Sequence, residues 1–260
     1  MNTGRITETI IEQTELVAGI FSMWIRTELA LSAKPGQFLQ IFTPNASKLL
    51  ARPISICEIN REEQRLRIVY RVNGVQSGTY TLSQLQSGDT VDVMGPFGNG
   101  FPVEWARDKQ VALIGGGIGI PPLLEVAKGL PHSTSIMGYA SEVFLTHELS
   151  QVSNLHISTE DGSVGTTGYV TDILYDNNVF LKKLDLIFAC GPKAMLEAVA
   201  EYAQIHGIPC YVSMEERMAC GIGACLACVC ATKEVNEHTN VKNVRVCKEG
   251  PVFLSTEIVW

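Results

Sequence analysis

The sequence predicts a mixed β and α/β protein in three parts: an N-terminal antiparallel β-barrel domain over residues 1–102, a parallel-sheet α/β domain over 103–212 and a small cysteine-bearing domain over 213–260. Three observations carry this. Short strand-like runs separated by turn residues fill the first third of the chain. From Gln110 the pattern changes to apolar strand, glycine turn, then helix. Beyond Ser213 four cysteines recur as C-x4-C-x2-C-x18-C in a tail of 48 residues, too short to hold a core without a metal.

In the first part, strands are expected at Arg5–Gln13, Leu16–Thr27, Gln37–Thr43, Ile54–Ile59, Leu66–Val72 and Thr90–Met94, with one short helix at Thr79–Gln86. Lys34-Pro35-Gly36 and Ser87-Gly88-Asp89 mark turns between them, and strands at this spacing suggest a barrel. The texture changes around Gly95–Phe101. Val111–Ile114 then reads as a buried strand running through a glycine turn into a helix over Leu123–Gly129. Further strands at Thr134–Tyr139, Leu155–Thr159 and Leu184–Ala189 alternate with helices at Val170–Tyr175 and Lys193–Ile205, the pattern of a parallel, nucleotide-binding sheet.

Composition narrows the function. The chain has 260 residues and a formal charge of −7, from 20 Lys+Arg against 27 Asp+Glu, which argues against a nucleic-acid partner. The most apolar stretch, Val111–Val126, contains four glycines and two prolines and is too short to span a bilayer. With no signal-peptide pattern at the N-terminus, the eight cysteines read as reduced thiols and metal ligands, and a cytoplasmic location is expected.

Cys220, Cys225, Cys228 and Cys247 have the plant-type spacing of a [2Fe–2S] centre, three thiolates on a tight loop and one distant. Gly221 and Gly223 let that loop wrap a cluster and turn backbone N–H groups toward its sulfurs. Zinc knots instead come as C-x2-4-C pairs with a matching second pair or with histidines, and neither follows here. Cys230 is left out because four thiolates already satisfy two irons. His238, in the gap before Cys247, would need a second histidine to act as in a Rieske centre and is expected to face solvent. Cys57, Cys190 and Cys210 lie among apolar residues and read as small buried hydrophobes.

Two further constellations point to bound cofactors. Gly115-Gly116-Gly117-Ile118-Gly119, between a strand and a helix, would let a pyrophosphate approach backbone amides. It departs from G-x-G-x-x-G, and a turn needed only for strand–helix packing is the competing reading. In Arg52-Pro53-Ile54-Ser55 the arginine can pair with a phosphate and the serine can hydrogen-bond a ring atom. Tyr70 and Arg71 add an aromatic face and a cation, and Gly78-Thr79 opens the short helix toward an anion. Each of these also has a plain structural reading: surface cation, barrel-core aromatic, turn residue.

The order Arg52-Pro53-Ile54-Ser55, Val69-Tyr70-Arg71, Gly78-Thr79, Gly115-Gly116-Gly117-Ile118-Gly119, Cys190-Gly191-Pro192 resembles the ferredoxin reductase superfamily of flavin and nicotinamide enzymes. Within it, Ser213 to Cys225 and Met94 to Phe101 are similar to the electron-transfer subunits of class 1B dihydroorotate dehydrogenases. The resemblance implies FAD on the barrel, NAD on the α/β domain and a [2Fe–2S] cluster in the tail. It further implies that Arg52, Gly78 and Thr79 hold the FAD pyrophosphate, that Ser55 and Val69-Tyr70-Arg71 frame the isoalloxazine, and that Cys190-Gly191-Pro192 lies near the nicotinamide.

A flavin exchanges hydride or single electrons, nicotinamide only hydride and a [2Fe–2S] cluster only single electrons, so a chain holding all three converts between one- and two-electron transfer. No paired carboxylates or Ser/His/Asp arrangement offers a proton-abstracting base. The organic substrate is therefore expected to react on a partner, which the resemblance makes an FMN-containing dihydroorotate dehydrogenase catalytic subunit in a heterotetramer of two of each chain. The competing readings are the reductase subunit of an NADPH-linked ferredoxin or sulfide oxidoreductase, a zinc-stabilised non-catalytic interaction module, and a redox sensor with Cys230 as its exposed thiol.

Overall fold

In the computed structural model, residues 4–176, 184–236 and 240–260 are described. The barrel strands are β1 (Ile6–Val17), β2 (Ile20–Arg26), β3 (Phe38–Phe42), β4 (Arg52–Asn60), β5 (Arg65–Arg71) and β6 (Thr90–Phe97), closed in the order β1-β2-β5-β4-β3-β6. The short helix α1 (Gly78–Ser83) interrupts them between β5 and β6. Ile10, Met23, Leu39, Ile41, Ile54, Ile56, Leu66, Ile68 and Val93 point inward and fill the barrel. The first two strands differ from expectation: β1 runs on through Thr14 and Glu15, and the hairpin turns at Ala18-Gly19, where Gly19 has φ +73° and its N–H reaches Glu15 Oε1 at 2.7 Å. Register shifts between Ile10 and Glu12 and between Glu15 and Val17 blur the alternation that a sequence reader follows.

A short helix, α2 (Val103–Ala106), leads to the α/β domain. It comprises β7 (Val111–Gly116), α3 (Pro121–Lys128), β8 (Ser133–Tyr139), α4 (Thr146–Val152), β9 (Asn154–Thr159), β10 (Thr166–Thr167), α5 (Val170–Leu174), β11 (Leu186–Cys190), α6 (Lys193–His206) and β12 (Cys210–Ser213). Helix α3 starts two residues before the expected Leu123, because Pro121 and Pro122 suit the first turn, where N–H groups lack intrahelical partners. The sheet order is β10-β9-β8-β7-β11-β12-β15, the last being Val252–Leu254 of the tail, so the chain moves outward from β7 on one side and returns to its other side at β11. That reversal is the topological switch point where open α/β sheets bind ligands.

The tail adds β13 (Val229–Ala231), β14 (Asn243–Arg245) and β15 (Val252–Leu254). β15 joins the large sheet antiparallel to β12, a contribution not anticipated from three apolar residues in a cysteine-rich segment. Asn99 ties this strap to the barrel exit: its Nδ2 donates to the Glu249 and Val252 carbonyls at 3.0 and 2.9 Å, and its Oδ1 accepts the Val252 N–H at 3.0 Å.

Barrel and α/β domain share a continuous apolar core, with Ile20, Cys57 and Val69 packed among α3 and β7 residues such as Leu123, Leu124 and Leu113. Beside it runs an ion network. Arg67 lies 2.5 Å from Glu58 and 3.3 Å from Glu148, and Lys128 lies 2.5 Å from Glu58 and 3.5 Å from Glu125. The Glu58 and Arg67 side chains are only 14 and 10% exposed. Desolvation works to raise the Glu58 pKa, but Lys128 and Arg67 hold it below the ordinary value. Glu125, which accepts the Ile59 N–H at 3.1 Å, is raised by its desolvation.

Glu58→Gln should therefore destabilise the fold by on the order of 3 kcal/mol, because Arg67 loses its nearest counter-charge in a partly dry site. Glu125→Gln keeps an acceptor for Ile59 and should be neutral or slightly stabilising. Since the folded-state pKa of Glu58 is depressed, its contribution is complete at neutral pH and disappears as pH falls through that lowered value. Thermal melts of both variants at neutral pH and at about pH 4 test this: the Glu58→Gln deficit should narrow in acid, and equal midpoints at neutral pH would remove the network from the account of stability.

Candidate metal centre and its neighbouring sites

The first two cysteines of the loop are in contact. The Cys225 N–H donates to Cys220 Sγ at 3.3 Å. Partial burial opposes ionisation of Cys220, yet the backbone N–H groups of Cys225, Ile222 and Ala224 outweigh it and bring the thiol pKa down to about 6. Cys228 and Cys247 are buried, at 1 and 3% exposure. Burial and the neighbouring Cys228 push Cys247 up to about 12. Cys220 is thus ready to act as a thiolate, while Cys247 needs cationic metal to ionise. Glycine backbone at φ +66° (Gly221) and +82° (Gly223) turns the loop so that its N–H groups face Cys220.

Arg245 and Glu249 brace this loop, and neither stands out in the sequence. Arg245 Nη1 donates to the Gly223 carbonyl at 2.7 Å, its backbone N–H reaches Glu249 Oε2 at 2.7 Å, and its guanidinium forms an ion pair with Glu249. Among the described residues no three His, Cys, Asp or Glu side chains are gathered as a single-ion site. A two-iron cluster would take two of the four thiols on each iron. Cys230 is 6% exposed, and burial pushes its pKa up to about 11. It is a core residue beside Cys228 and Val246, which corrects the expectation of an exposed sensor thiol. Glu237 and His238 lie outside the described residues.

On the barrel, Arg52 and Gly78 meet. A Cβ on Gly78 would lie 2.6 Å from Arg52 Cζ, so only glycine admits the guanidinium there. Arg52 has no acidic partner among the described residues and bonds the carbonyls of Leu50 and Ala51, leaving its charge uncompensated. Thr79 Oγ1 accepts the Asn73 N–H at 3.2 Å. The Ser77 hydroxyl caps α1 by accepting the Tyr80 N–H at 3.0 Å. Ile54 points into the barrel core, whereas Pro53 and Ser55 stand on the outer face of β4 opposite Gln40 and Phe38 of β3. Strand alternation separates the β5 trio: Val69 and Arg71 face outward, but Tyr70 turns inward, 2% exposed, with its hydroxyl donating to Gln13 Oε1 at 2.9 Å.

At the switch point the glycine turn and Cys190-Gly191-Pro192 are in contact. A Cβ on Gly119 would lie 2.5 Å from the Cys190 carbonyl oxygen and 2.6 Å from Gly191 Cα. Gly115 and Gly116 are likewise closed in, by Met137 and by Met195 with Pro192, so the packing reading accounts for these three glycines. Gly117 differs. At φ +52° it borders a cavity of about 220 Å³ that Arg71, Tyr139 and Glu142 also line, and an added Cβ would meet only Arg71 Nη2, at 3.6 Å. Cys190 is buried, and desolvation pushes its thiol up to about 12, so it is neutral at physiological pH.

The sites share one layout. β4 lies between β5 and β3; β5 reaches the glycine turn through Arg71, and β3 reaches the cysteine loop through Gln40, which lies against Gly221. Gln40 is 2% exposed, and neither atom of its carboxamide has a hydrogen-bond partner, although the sequence gives no reason to single it out.

Comparisons with known proteins bear on the family and the fold. Residues 215–259 match the family model of the iron-sulfur cluster binding domain of dihydroorotate dehydrogenase B. The whole chain is similar to the dihydroorotate dehydrogenase B (NAD(+)) electron transfer subunit of Streptococcus mutans serotype c, 44% identical over 258 residues and 96% of each chain. Among solved structures, an NADH-dependent reduced ferredoxin-NADP oxidoreductase superimposes with a TM-score of 0.86 at 28% identity, covering 100% of this chain and 92% of that one. A ferredoxin NADP+ reductase from Neisseria gonorrhoeae with bound FAD and NADP shares the fold, with a TM-score of 0.66 at 16% identity over 82% of this chain and 94% of that one.

Gly119→Ala should force the Cys190–Gly191 backbone away from the turn, at a cost of about 1–3 kcal/mol. The expected result is a melting midpoint lower by several degrees, together with weaker NADH oxidation by an artificial acceptor. A variant matching the parent in both would mean that the turn has room the packing denies.

Proposed function

Because the chain belongs to the family of dihydroorotate dehydrogenase B (NAD(+)) electron transfer subunits, we propose that it passes electrons from a dihydroorotate-oxidising catalytic subunit, through a [2Fe–2S] cluster and FAD, to NAD+. The observation that carries this is the position of β4 between the strand that reaches the glycine turn and the strand that reaches the cysteine loop. A flavin on that strand would have a one-electron centre on one side and a hydride acceptor on the other.

The chain's own residues would hold these groups. Cys220, Cys225, Cys228 and Cys247 would ligate the two irons, with Arg245 fixing the loop. Arg52, Gly78 and Thr79 would bind the FAD pyrophosphate. Pro53, Ser55, Val69 and Arg71 would border the isoalloxazine, with Ile54 and Tyr70 supporting it from the barrel core. Gly117 and Arg71 would receive the dinucleotide beside Cys190-Gly191-Pro192, where the neutral Cys190 thiol adds no charge to repel hydride. Residues 1–102, 103–212 and 213–260 would then be the FAD, NAD and cluster domains. Within the same proposal the partner carries FMN, two copies of each chain assemble, and the complex works in the cytoplasm. No helix of the described residues is long and apolar enough to cross a membrane, and all eight cysteines are free thiols.

Reconstituting the chain anaerobically with the catalytic subunit from its own source should give NADH formation that depends on dihydroorotate. Fully loaded chains that form a complex yet make no NADH would defeat the proposal, as would zinc in place of iron in the isolated protein. Cys225→Ser should remove the cluster absorption and the coupling to the partner while sparing NADH oxidation by a dye. If the absorption persists, Cys225 is not a ligand. Arg52→Ala should weaken FAD retention roughly tenfold to a hundredfold, the value of a charge-assisted phosphate contact; flavin that stays bound through prolonged dialysis would count against that contact.

A further inference from the structure

Gln40 occupies a position that an apolar side chain would fill at lower cost. It lies on the outer face of β3, one alternation from Phe38, whose ring packs into the core of the cluster domain. Its cross-strand neighbour on β4 is Pro53, which has no N–H to offer. The carboxamide is buried, and neither its nitrogen nor its oxygen has a partner. Buried side-chain polar groups without partners are uncommon, and each calls for an explanation. Here the side chain lies directly against Gly221, the residue after Cys220, so closely that a Cβ on Gly221 would overlap Nε2. The nearest chemistry is thus a centre of thiolates and sulfides, rich in acceptors and negative charge, which is what an NH2 group complements.

We propose that the Gln40 carboxamide is a hydrogen-bond donor to the [2Fe–2S] centre, reaching it from the barrel side and raising its reduction potential. A donor to cluster sulfur stabilises the reduced, more negative state over the oxidised one. Gln40 is also the cross-strand partner of Pro53 on the β4 strand, so the contact would fix the distance between the cluster loop and the flavin-bearing face. The proposal rests on the cluster reading above.

Redox titration of the intact complex, followed through the paramagnetic signal of the reduced cluster, tests it. Gln40→Met keeps the volume without the donor and should shift the cluster midpoint potential downward with iron content unchanged. Gln40→Glu keeps the shape as an acceptor and should shift it downward at least as far. Pulsed paramagnetic resonance on the unaltered protein, labelled with nitrogen-15 in its glutamine side chains, should show coupling between the cluster and a side-chain nitrogen; it decides the matter even if the variants fail to fold. A cluster of unchanged potential in the variants with no such coupling in the parent would overturn the Gln40 assignment and leave the cluster reading standing. A parent protein that assembles no cluster would overturn both.

Discussion

Thiols that must ionise to bind metal cannot be brought together unless something holds their charge, and the C-terminal domain is organised around that requirement. Backbone N–H groups serve Cys220, and its pKa falls to about 6. Cys247 has only the Gly223 backbone N–H working to lower it, and burial and Cys228 outweigh that and push it up to about 12. The difference follows from position: Cys220 opens a glycine-rich loop whose amides turn inward, whereas Cys228 and Cys247 sit in an apolar core with Phe38, Phe253 and Met214. Cys247 is stable as a neutral thiol without metal and requires iron to become thiolate. Folding and cluster binding are thus coupled through that side chain.

The tail depends on the rest of the chain as much as on metal. β15 completes the large sheet against β12, Asn99 pins the strap to the barrel exit, and Phe38 and Phe97 of the barrel pack against the cluster-domain core. A tail of this length could not bury enough surface alone. Attached in this way it uses the α/β domain and the barrel as its hydrophobic floor, which fixes the cysteine loop against β3.

Much of this was legible in the sequence, and the reasons differ by feature. The iron-sulfur domain was readable because its cysteines carry their chemistry in spacing along one short segment. The barrel and the parallel sheet were readable because alternation and strand–helix succession are local patterns. Gln40, Arg245 and Glu249 were not readable, because a glutamine in a strand or an arginine near an acid acquires meaning only when folding brings a distant loop against it. β15 was missed because three apolar residues carry no period. The split of Val69-Tyr70-Arg71 between two faces was implicit in strand alternation. The trio is joined by sequence, but Tyr70 belongs with Ile68 in the core and Arg71 with the glycine turn.

That split shows how a single register sets the site. On β3, β4 and β5 the inward residues Leu39, Ile41, Ile54, Ile56, Ile68 and Tyr70 form the barrel core. The residues between them, Phe38, Gln40, Pro53, Ser55, Val69 and Arg71, form the outer face. Side chains alternate with a period of two, so a slip of one residue would place Gln40 of β3, Ser55 of β4 or Arg71 of β5 in the core and an apolar core residue on the face. The core therefore selects the register, and the register aims one strand at the glycine turn, another at the cysteine loop and the strand between them at neither. The placing of the glycine turn and the cysteine loop on either side of β4 is in this way fixed by apolar side chains of the barrel core.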